Sequence, residues 1–300
     1  MKILVTGQGG QLAWELEQTT PNNVDLIALS QNQLDITDRD TVFEIIQEQK
    51  PDLIINAAAY TAVDKAETEP EVAFSVNAKG SENLALACKK YKANLIHIST
   101  DFVFDGTKTT PYTNSDRTCP INVYGESKLV GDQMVSKILG SQSVVIRTAW
   151  VYSANGNNFV KTMLNLMREK DELGIVYDQV GTPTWAKGLA RMIWSLIQSH
   201  SFNDNVNDES LMLHWTDAGV ASWYDFACSI QELALNKGLL KNAIPVRPIS
   251  ADAYPTPAKR PNFSVIDKSK SESISKYSTI HWRKQLSDML DELKEFNPQT

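Results

Sequence analysis

The amino-acid sequence predicts an α/β fold: a doubly wound parallel sheet with a smaller, interleaved second domain. Three observations lead there. Short β-branched apolar runs at Lys2–Val5, Leu26–Leu29, Leu53–Asn56, Leu95–Ser99 and Val144–Thr148 are continuous rather than alternating, as in strands buried on both faces. Longer amphipathic stretches separate them, and strand–helix–strand repeated in this way builds βαβ units with helices on both sides of the sheet. Beyond about residue 150 the rhythm loosens, and helical segments are divided by polar loops.

The first strand runs straight into Thr6-Gly7-Gln8-Gly9-Gly10-Gln11-Leu12-Ala13. Gly7, Gly10 and Ala13 stand three apart, the dinucleotide fingerprint with alanine in the last place. Gly7 permits a tight turn, Gly10 lets the backbone approach a pyrophosphate, and Ala13 lets the next helix sit close to the strand. Backbone N–H groups at the helix start, from Gly9 to Leu12, then face the phosphates. A glycine pair is commonly only a turn, but one between a first strand and a helix marks a Rossmann-type nucleotide site.

The second strand ends at Ala28-Leu29-Ser30-Gln31. NAD-selective folds carry a carboxylate there for the ribose 2′-hydroxyl. Ser30 cannot repel a 2′-phosphate, so NADPH is the expected cofactor, with NADH also accepted. Asp35-Ile36 is placed to contact adenine; the alternative is a cap for the helix that begins near Thr37-Asp38. A helix is expected over Pro70–Tyr91, where Val76, Gly80, Leu84, Ala87 and Tyr91 recur on one face.

Thr100 follows the fourth strand, and Tyr124-Gly125-Glu126-Ser127-Lys128 lies beyond Pro120. A tyrosine and a lysine four apart share a helix face. The ammonium can lower the phenol pKa from about 10 and orient a cofactor ribose, leaving the phenol as proton donor. With nine tyrosines and 29 Lys plus Arg, chance alone supplies about one such pair. Its setting gives it weight, because open α/β sheets bind ligands at the carboxyl ends of their strands.

Residues 1–150 are therefore expected to form the dinucleotide-binding domain. Residues 151–300 would mainly form a substrate-binding domain, with part of 185–240 returning to the first. Helices are expected near Asn158–Glu169, Trp185–Ser199, Ser222–Leu235 and Trp282–Phe296, with Ser201–Ser210 as a polar loop. Three prolines in Tyr254–Pro261 require a loop there as well.

The 300 residues are 42% hydrophobic and 22% charged, with a net charge of −7 and a pI near 5.2. That balance argues against nucleic acid or an anionic membrane as the main partner. Cys88, Cys119 and Cys228 lie far apart without a CxxC, so neither a disulfide framework nor a zinc site is indicated. His97, His200, His214 and His281 show no ligand spacing, and His97, inside a strand, reads as a core residue. The N-terminus reaches Gly7 too early for a signal-peptide core. No apolar run approaches the ~20 residues of a membrane helix. A soluble, cytoplasmic protein is expected.

Taken together, the fingerprint, Asn56-Ala57-Ala58-Ala59-Tyr60-Thr61-Ala62-Val63-Asp64, Ser99–Phe104 and Tyr124…Lys128 resemble the extended short-chain dehydrogenase/reductase superfamily. Arg147–Tyr152, Gly156–Phe159, Asp178–Thr184 and Tyr254-Pro255-Thr256-Pro257…Arg260-Pro261 narrow the resemblance to the dTDP-4-dehydrorhamnose reductase family, and it spans nearly the whole chain. It implies NADPH-dependent reduction of dTDP-4-dehydro-6-deoxy-L-mannose to dTDP-L-rhamnose, the last step in making a sugar donor for cell-surface polysaccharide. It implies that Thr100, Tyr124 and Lys128 form the catalytic triad, and that Ala57, Ala58 and Ala59 border the cofactor. Asp101, Phe102, Trp150, Asn158 and Arg260 would meet the dTDP-sugar. An arginine in a proline-stiffened loop also suits bidentate capture of a diphosphate.

Some members of that family dimerise through magnesium held by glutamates. Glu15 matches the first ligand, but Lys187 stands where the second is expected, which argues against a magnesium-bridged dimer and leaves a monomer or a plain homodimer. Two rival functions remain open. One is a nucleotide-sugar epimerase or dehydratase, although Thr100 precedes Asp101-Phe102 where dehydratases carry Asp-Glu. The other is a non-catalytic regulatory subunit of a methionine adenosyltransferase, against which the intact Thr100, Tyr124 and Lys128 set stands.

Overall fold

The computed structural model describes residues 1–199 and 208–296. In chain order it begins with β1 (Lys2–Thr6), α1 (Gln11–Gln18), β2 (Asp25–Leu29), α2 (Arg39–Gln49) and β3 (Leu53–Asn56). A helical arm follows, made of α3 (Val63–Ala66), α4 (Pro70–Phe74), a π-helical turn over Ser75–Gly80, and α5 (Ser81–Tyr91). Then come β4 (Asn94–Thr100), α6 (Val123–Leu139), β5 (Ser143–Thr148), β6 (Val151–Tyr152), α7 (Phe159–Glu169) and β7 (Leu173–Val176). Next are β8 (Val180–Gly181), β9 (Thr184–Trp185), α8 (Ala186–Ser199), β10 (Leu211–His214) and β11 (Ala221–Ser222). The chain continues with α9 (Trp223–Asn236), β12 (Val246–Ile249), α10 (Ser269–Ser275) and α11 (Trp282–Phe296).

Six strands in the order β10-β5-β4-β3-β1-β2 form one sheet, parallel throughout. Successive residues of each strand face opposite sides, so a continuous apolar run supplies two cores. Ile3, Val5 and Ile55 meet Leu12 and Leu16 of α1 and Leu189 and Ile193 of α8. Leu4, Ile54 and Leu95 meet Val42, Leu84 and Val135 from α2, α5 and α6. The strands turn polar at their carboxyl ends and do so in register: Thr6 pairs with Asn56, Asn56 with His97, and Thr100 with Thr148. That rim is where a polar ligand can be met.

The sixth strand, β10, was not among the five expected runs. It has four residues, Leu-Met-Leu-His, and pairs only with β5 at the sheet edge, too short a signal to read from pattern. Of the expected loop Ser201–Ser210, residues 201–207 lie outside the described residues, as does His200. Within 185–240, α8 and β10 pack on the sheet, whereas α9 joins a separate core. There Met163 and Leu164 of α7 meet Phe226 and Ile230 of α9 and Leu286 and Leu290 of α11. Among the described residues no helix is long and apolar enough to cross a membrane.

The helix expected over Pro70–Tyr91 is continuous but not regular, since Ser75–Gly80 is wound as a π-turn. From that turn the Asn77 side chain accepts from Tyr60 N (2.9 Å) and donates to Tyr60 O (3.1 Å) and Ser127 Oγ (2.9 Å). One amide thus braces the loop after β3 against α6. Gly131 of α6 lies so near this turn that a Cβ there would overlap the Asn77 carbonyl oxygen. Gly131→Ala should therefore force α6 away from the arm. The expected cost is about 1–3 kcal/mol, read as a lowered urea midpoint at unchanged m-value. An unaltered midpoint would show that the arm yields freely.

Candidate active site

A cavity of about 910 Å³ opens at the carboxyl ends of β1, β3, β4 and β5. Its phosphate end is built by the first loop. Gly7 and Gly9 take φ of +76° and +87°, a region that side-chain-bearing residues rarely adopt. A Cβ on Gly7 would lie 2.9 Å from the Ala58 backbone, whereas one on Gly9 would meet nothing within 4 Å. The loop closes on itself through Gly10 N to Gly7 O at 3.0 Å, and Gly10 is the N-cap of α1 with no side chain to occupy the helix end. Unspent N–H groups and an open approach together fit an anionic diphosphate. Gln11, Leu12, Asp35, Ile36, Ala57, Ala58 and Ala59 all border this part of the cavity.

Ser30 is not on the wall. Its hydroxyl donates to Gln33 Oε1 at 2.8 Å, and the neighbouring Gln31 lines the cavity instead. Asp35 Oδ1 accepts from Thr37 N and Oγ1, while the cap of α2 is Asp38, which accepts from Asp40 N and Thr41 N. Asp35 therefore stays at the rim and the capping falls to Asp38.

The reactive end is compact. Thr100, Tyr124 and Lys128 are buried and line the same cavity. Thr100 ends β4, where its Oγ1 accepts from Phe102 N at 3.2 Å and donates to Asp101 Oδ1 at 3.1 Å. Asn122 caps α6 by accepting from Gly125 N. A Cβ on Gly125 would overlap the Phe102 carbonyl oxygen, so glycine lets the first turn of α6 dock beneath β4. That docking delivers Tyr124 beside Thr100 and buries Lys128, whose Nζ donates to Ile98 O at 2.6 Å.

One electrostatic expectation is corrected here. Lys128 does not lower the Tyr124 pKa; burial pushes the phenol up to about 12, against a downward pull from Thr100 and with Asp101 and Asp132 raising it further. Burial likewise pulls Lys128 down to about 8, with Asp132 opposing. Tyr124 is thus a neutral O–H at neutral pH, the form that donates a proton. Asp101, buried beside Thr100, is pushed up to about 6 by desolvation.

The outer wall carries Trp150, Phe102 and Arg260. Trp150 sits at φ 47° and stacks on Trp223 at 3.5 Å between centroids and 8° between planes. It lines the cavity while also packing on the second core, and Trp223, which no sequence motif marked, does the same. Arg260 is held by Asp64 through Nη1 to Oδ1 (3.0 Å) and Nη2 to Oδ2 (2.8 Å). This pair keeps the Asp64 carboxyl below its usual range and ties the proline loop to α3. Asn158 is not among the wall residues, although Gly156 and Asn157 are. Its amide accepts from Lys161 N and donates to Gln11 Oε1 and Ser153 O, capping α7 and steadying Gln11.

Residues 1–295 match the family model described as RmlD substrate binding domain. The chain is 39% identical over 290 residues to the dTDP-4-dehydrorhamnose reductase of Aggregatibacter actinomycetemcomitans, covering 96% of this chain and 98% of that protein. The chain belongs to the dTDP-4-dehydrorhamnose reductase family. It is also 37% identical over 299 residues to the Escherichia coli K12 reductase, covering 98% of each. Among solved structures, the reductase of Clostridium acetobutylicum superposes with a TM-score of 0.89 at 40% identity, covering 98% of this chain and all of that one. The Bacillus anthracis reductase, solved in complex with NADP, gives 0.87 at 33%, covering 97% and 99%.

In this reductase-family chain the position of the expected metal ligand is filled differently. Glu15 is fully buried, accepting from Ser153 Oγ (2.7 Å) and Trp185 Nε1 (3.2 Å). Lys187 pairs directly with Glu292, and both charges act on Glu15. An ammonium already among the carboxylates repels a divalent cation, so this donor set does not fit magnesium. Desolvation pushes Glu15 up to about 7, with the Ser153 bond pulling it down. A raised carboxyl pKa means that the folded state holds its proton longer. Stability from this group is full below about pH 4.5 and falls as pH rises to about 7, by up to ~3 kcal/mol. Glu15→Gln keeps an acceptor for both donors and removes the charge. We expect it to stabilise the protein by about 1–3 kcal/mol at pH 8 and by little at pH 4.5, measured by urea unfolding. Equal effects at both pH values would show that Glu15 does not titrate in this window.

Proposed function

We propose that this chain reduces the 4-keto group of dTDP-4-dehydro-6-deoxy-L-mannose with NADPH, giving dTDP-L-rhamnose. The observation that carries the reading is the convergence of Thr100, Tyr124 and Lys128 on a cavity that also opens onto the Gly7–Leu12 phosphate loop. Membership of the reductase family supplies the substrate class, and the NADP of the Bacillus anthracis relative supports the cofactor.

A dinucleotide bound along Gly7–Leu12 would supply hydride to the ketone carbon. The chain's own residues then handle the oxygen. Thr100 Oγ1, turning its one proton from Asp101 to that oxygen, donates to it, and Tyr124, neutral at working pH, transfers its proton as negative charge builds. The buried Lys128 ammonium, which lines the same cavity, would hold the cofactor ribose. Trp150 and Trp223 form a flat wall for the sugar nucleotide, and Arg260, whose Nη1 and Nη2 already hold Asp64, would give its remaining N–H donors to the diphosphate, in charge-assisted bonds worth about 1.5–3 kcal/mol each. With Lys187 among them, the carboxylates near Glu15 do not suit a divalent cation. The likeness to the UDP-glucose 4-epimerase of Thermus thermophilus, at 17% identity and a TM-score of 0.81, concerns the fold alone.

The decisive experiment supplies NADPH and enzymatically made dTDP-4-keto sugar and determines the product's stereochemistry. Tyr124→Phe should lower kcat about 10²–10⁴-fold while leaving NADPH affinity nearly unchanged. Retention of more than about a tenth of turnover, with chemistry rate-limiting, would move the acid role to Thr100 or a water. Between cofactors, kcat/KM for NADPH should equal or exceed that for NADH, because no carboxylate stands at the end of β2. A preference for NADH above about tenfold, 1.4 kcal/mol, would overturn this.

A further inference from the structure

We propose that Asp132 is a positioning residue for this reaction: its carboxylate, one helical turn beyond Lys128 and clamped by Arg147, keeps the Lys128 ammonium charged beneath the cavity. The inference rests on the reading that Tyr124 and Lys128 carry the chemistry, and it adds a residue that none of the expected motifs named.

Tyr124, Lys128 and Asp132 are successive i, i+4 positions on one face of α6. All three are buried, Lys128 and Asp132 each at 2% exposure. An ammonium taken out of water costs several kcal/mol unless charge meets it, and the hydrogen bond it makes among the described residues is to a neutral carbonyl, Ile98 O. Asp132 is the group that raises the Lys128 pKa against desolvation, and Lys128 in turn lowers that of Asp132.

The surroundings decide how that carboxylate is held. From β5, Arg147 Nε lies 3.3 Å from Asp132 Oδ2, with its guanidinium 5.3 Å from the centre of the Phe104 ring. From β4, Ser99 reaches Asp132, while His97 Nε2 lies 3.6 Å from Asp132 Oδ1. His97 adds no charge, since burial and the Lys128 charge hold its pKa well below the usual value, and its Nδ1 is 3.1 Å from Asn56 Nδ2. Beyond β4, Asp101 is a second buried carboxyl acting on Tyr124. From the helical arm, Asn77 and Ser81 face α6 without charge. Of these groups Asp132 is the one whose charge acts on Lys128, and it lies on the same face of α6.

The test is the basic limb of the pH profile of kcat/KM for NADPH, which reports the free enzyme. Asp132→Asn is nearly isosteric and leaves Arg147 uncompensated, so Lys128 should lose its proton more easily. The limb should move down by one pH unit or more, with activity at pH 6 within about threefold of wild type. A folded Asp132→Asn protein whose limb stays in place, whatever its loss of Tm, overturns the proposal. If that variant does not fold, Arg147→Met serves: without the cation that holds Asp132 ionised and in place, the limb should again move down, and a limb that is unmoved or rises overturns the proposal equally. Tyr124→Phe separates the two ideas. Turnover retained in Tyr124→Phe sinks the reading of the site, whereas an inactive Tyr124→Phe with a stationary limb in Asp132→Asn sinks the role of Asp132 alone.

Discussion

One buried cation, the Lys128 ammonium, constrains much of the first layer. Charge in a low-dielectric interior must be met at close range, so α6 has to lie hard against β4, within reach of the Ile98 carbonyl. Small residues mark the close contacts of α6. Gly125 faces the Phe102 carbonyl and Gly131 the Asn77 carbonyl, and neither position has room for a Cβ. Polar groups deep in the sheet are likewise paired with one another. Thr6 Oγ1 donates to Asn56 Oδ1 at 2.7 Å, Asn56 reaches His97, and Arg147 meets Asp132. These side chains spend their polarity on one another at the strand ends rather than in the cavity.

The strands were legible because a sheet buried on both faces demands uninterrupted apolar runs, a pattern few other structures need. The phosphate loop was legible because glycine at φ near +80° has no cheap replacement. The edge strand β10 escaped because it needs only one partner and four residues. The π-turn over Ser75–Gly80 escaped for another reason. Its cause is tertiary, a match between Asn77 and two separate segments, and local propensity carries no trace of such a match.

The site divides along the same line. Tyr124 and Lys128 could be read from spacing, since a helix places i and i+4 together wherever it lies. The sign of the Tyr124 shift could not. Proximity along a helix suggested that the lysine would act on the phenol, but desolvation is set by how deeply the whole turn is buried. Asn158 belonged to a matching motif, yet its amide is consumed in capping α7 and bonding Gln11. Its contribution is to hold the wall rather than to be the wall. Trp223 completes the cavity wall and Asp64 holds Arg260 from elements distant in sequence, where neither composition nor spacing could pair them with Trp150 and Arg260.

The stacked indoles at the outer wall have a consequence in optics. Trp150 leaves the end of β5 with a left-handed backbone, and Trp223 opens α9 in the second core. Two nearly parallel indoles at 3.5 Å share their electronic transitions, so the pair has a circular dichroism band that neither ring has alone. Both rings rest on the second core and line the cavity. A ligand that tilts either indole alters the coupling. The protein thus carries an intrinsic chromophore that registers occupancy of the cavity without any attached label.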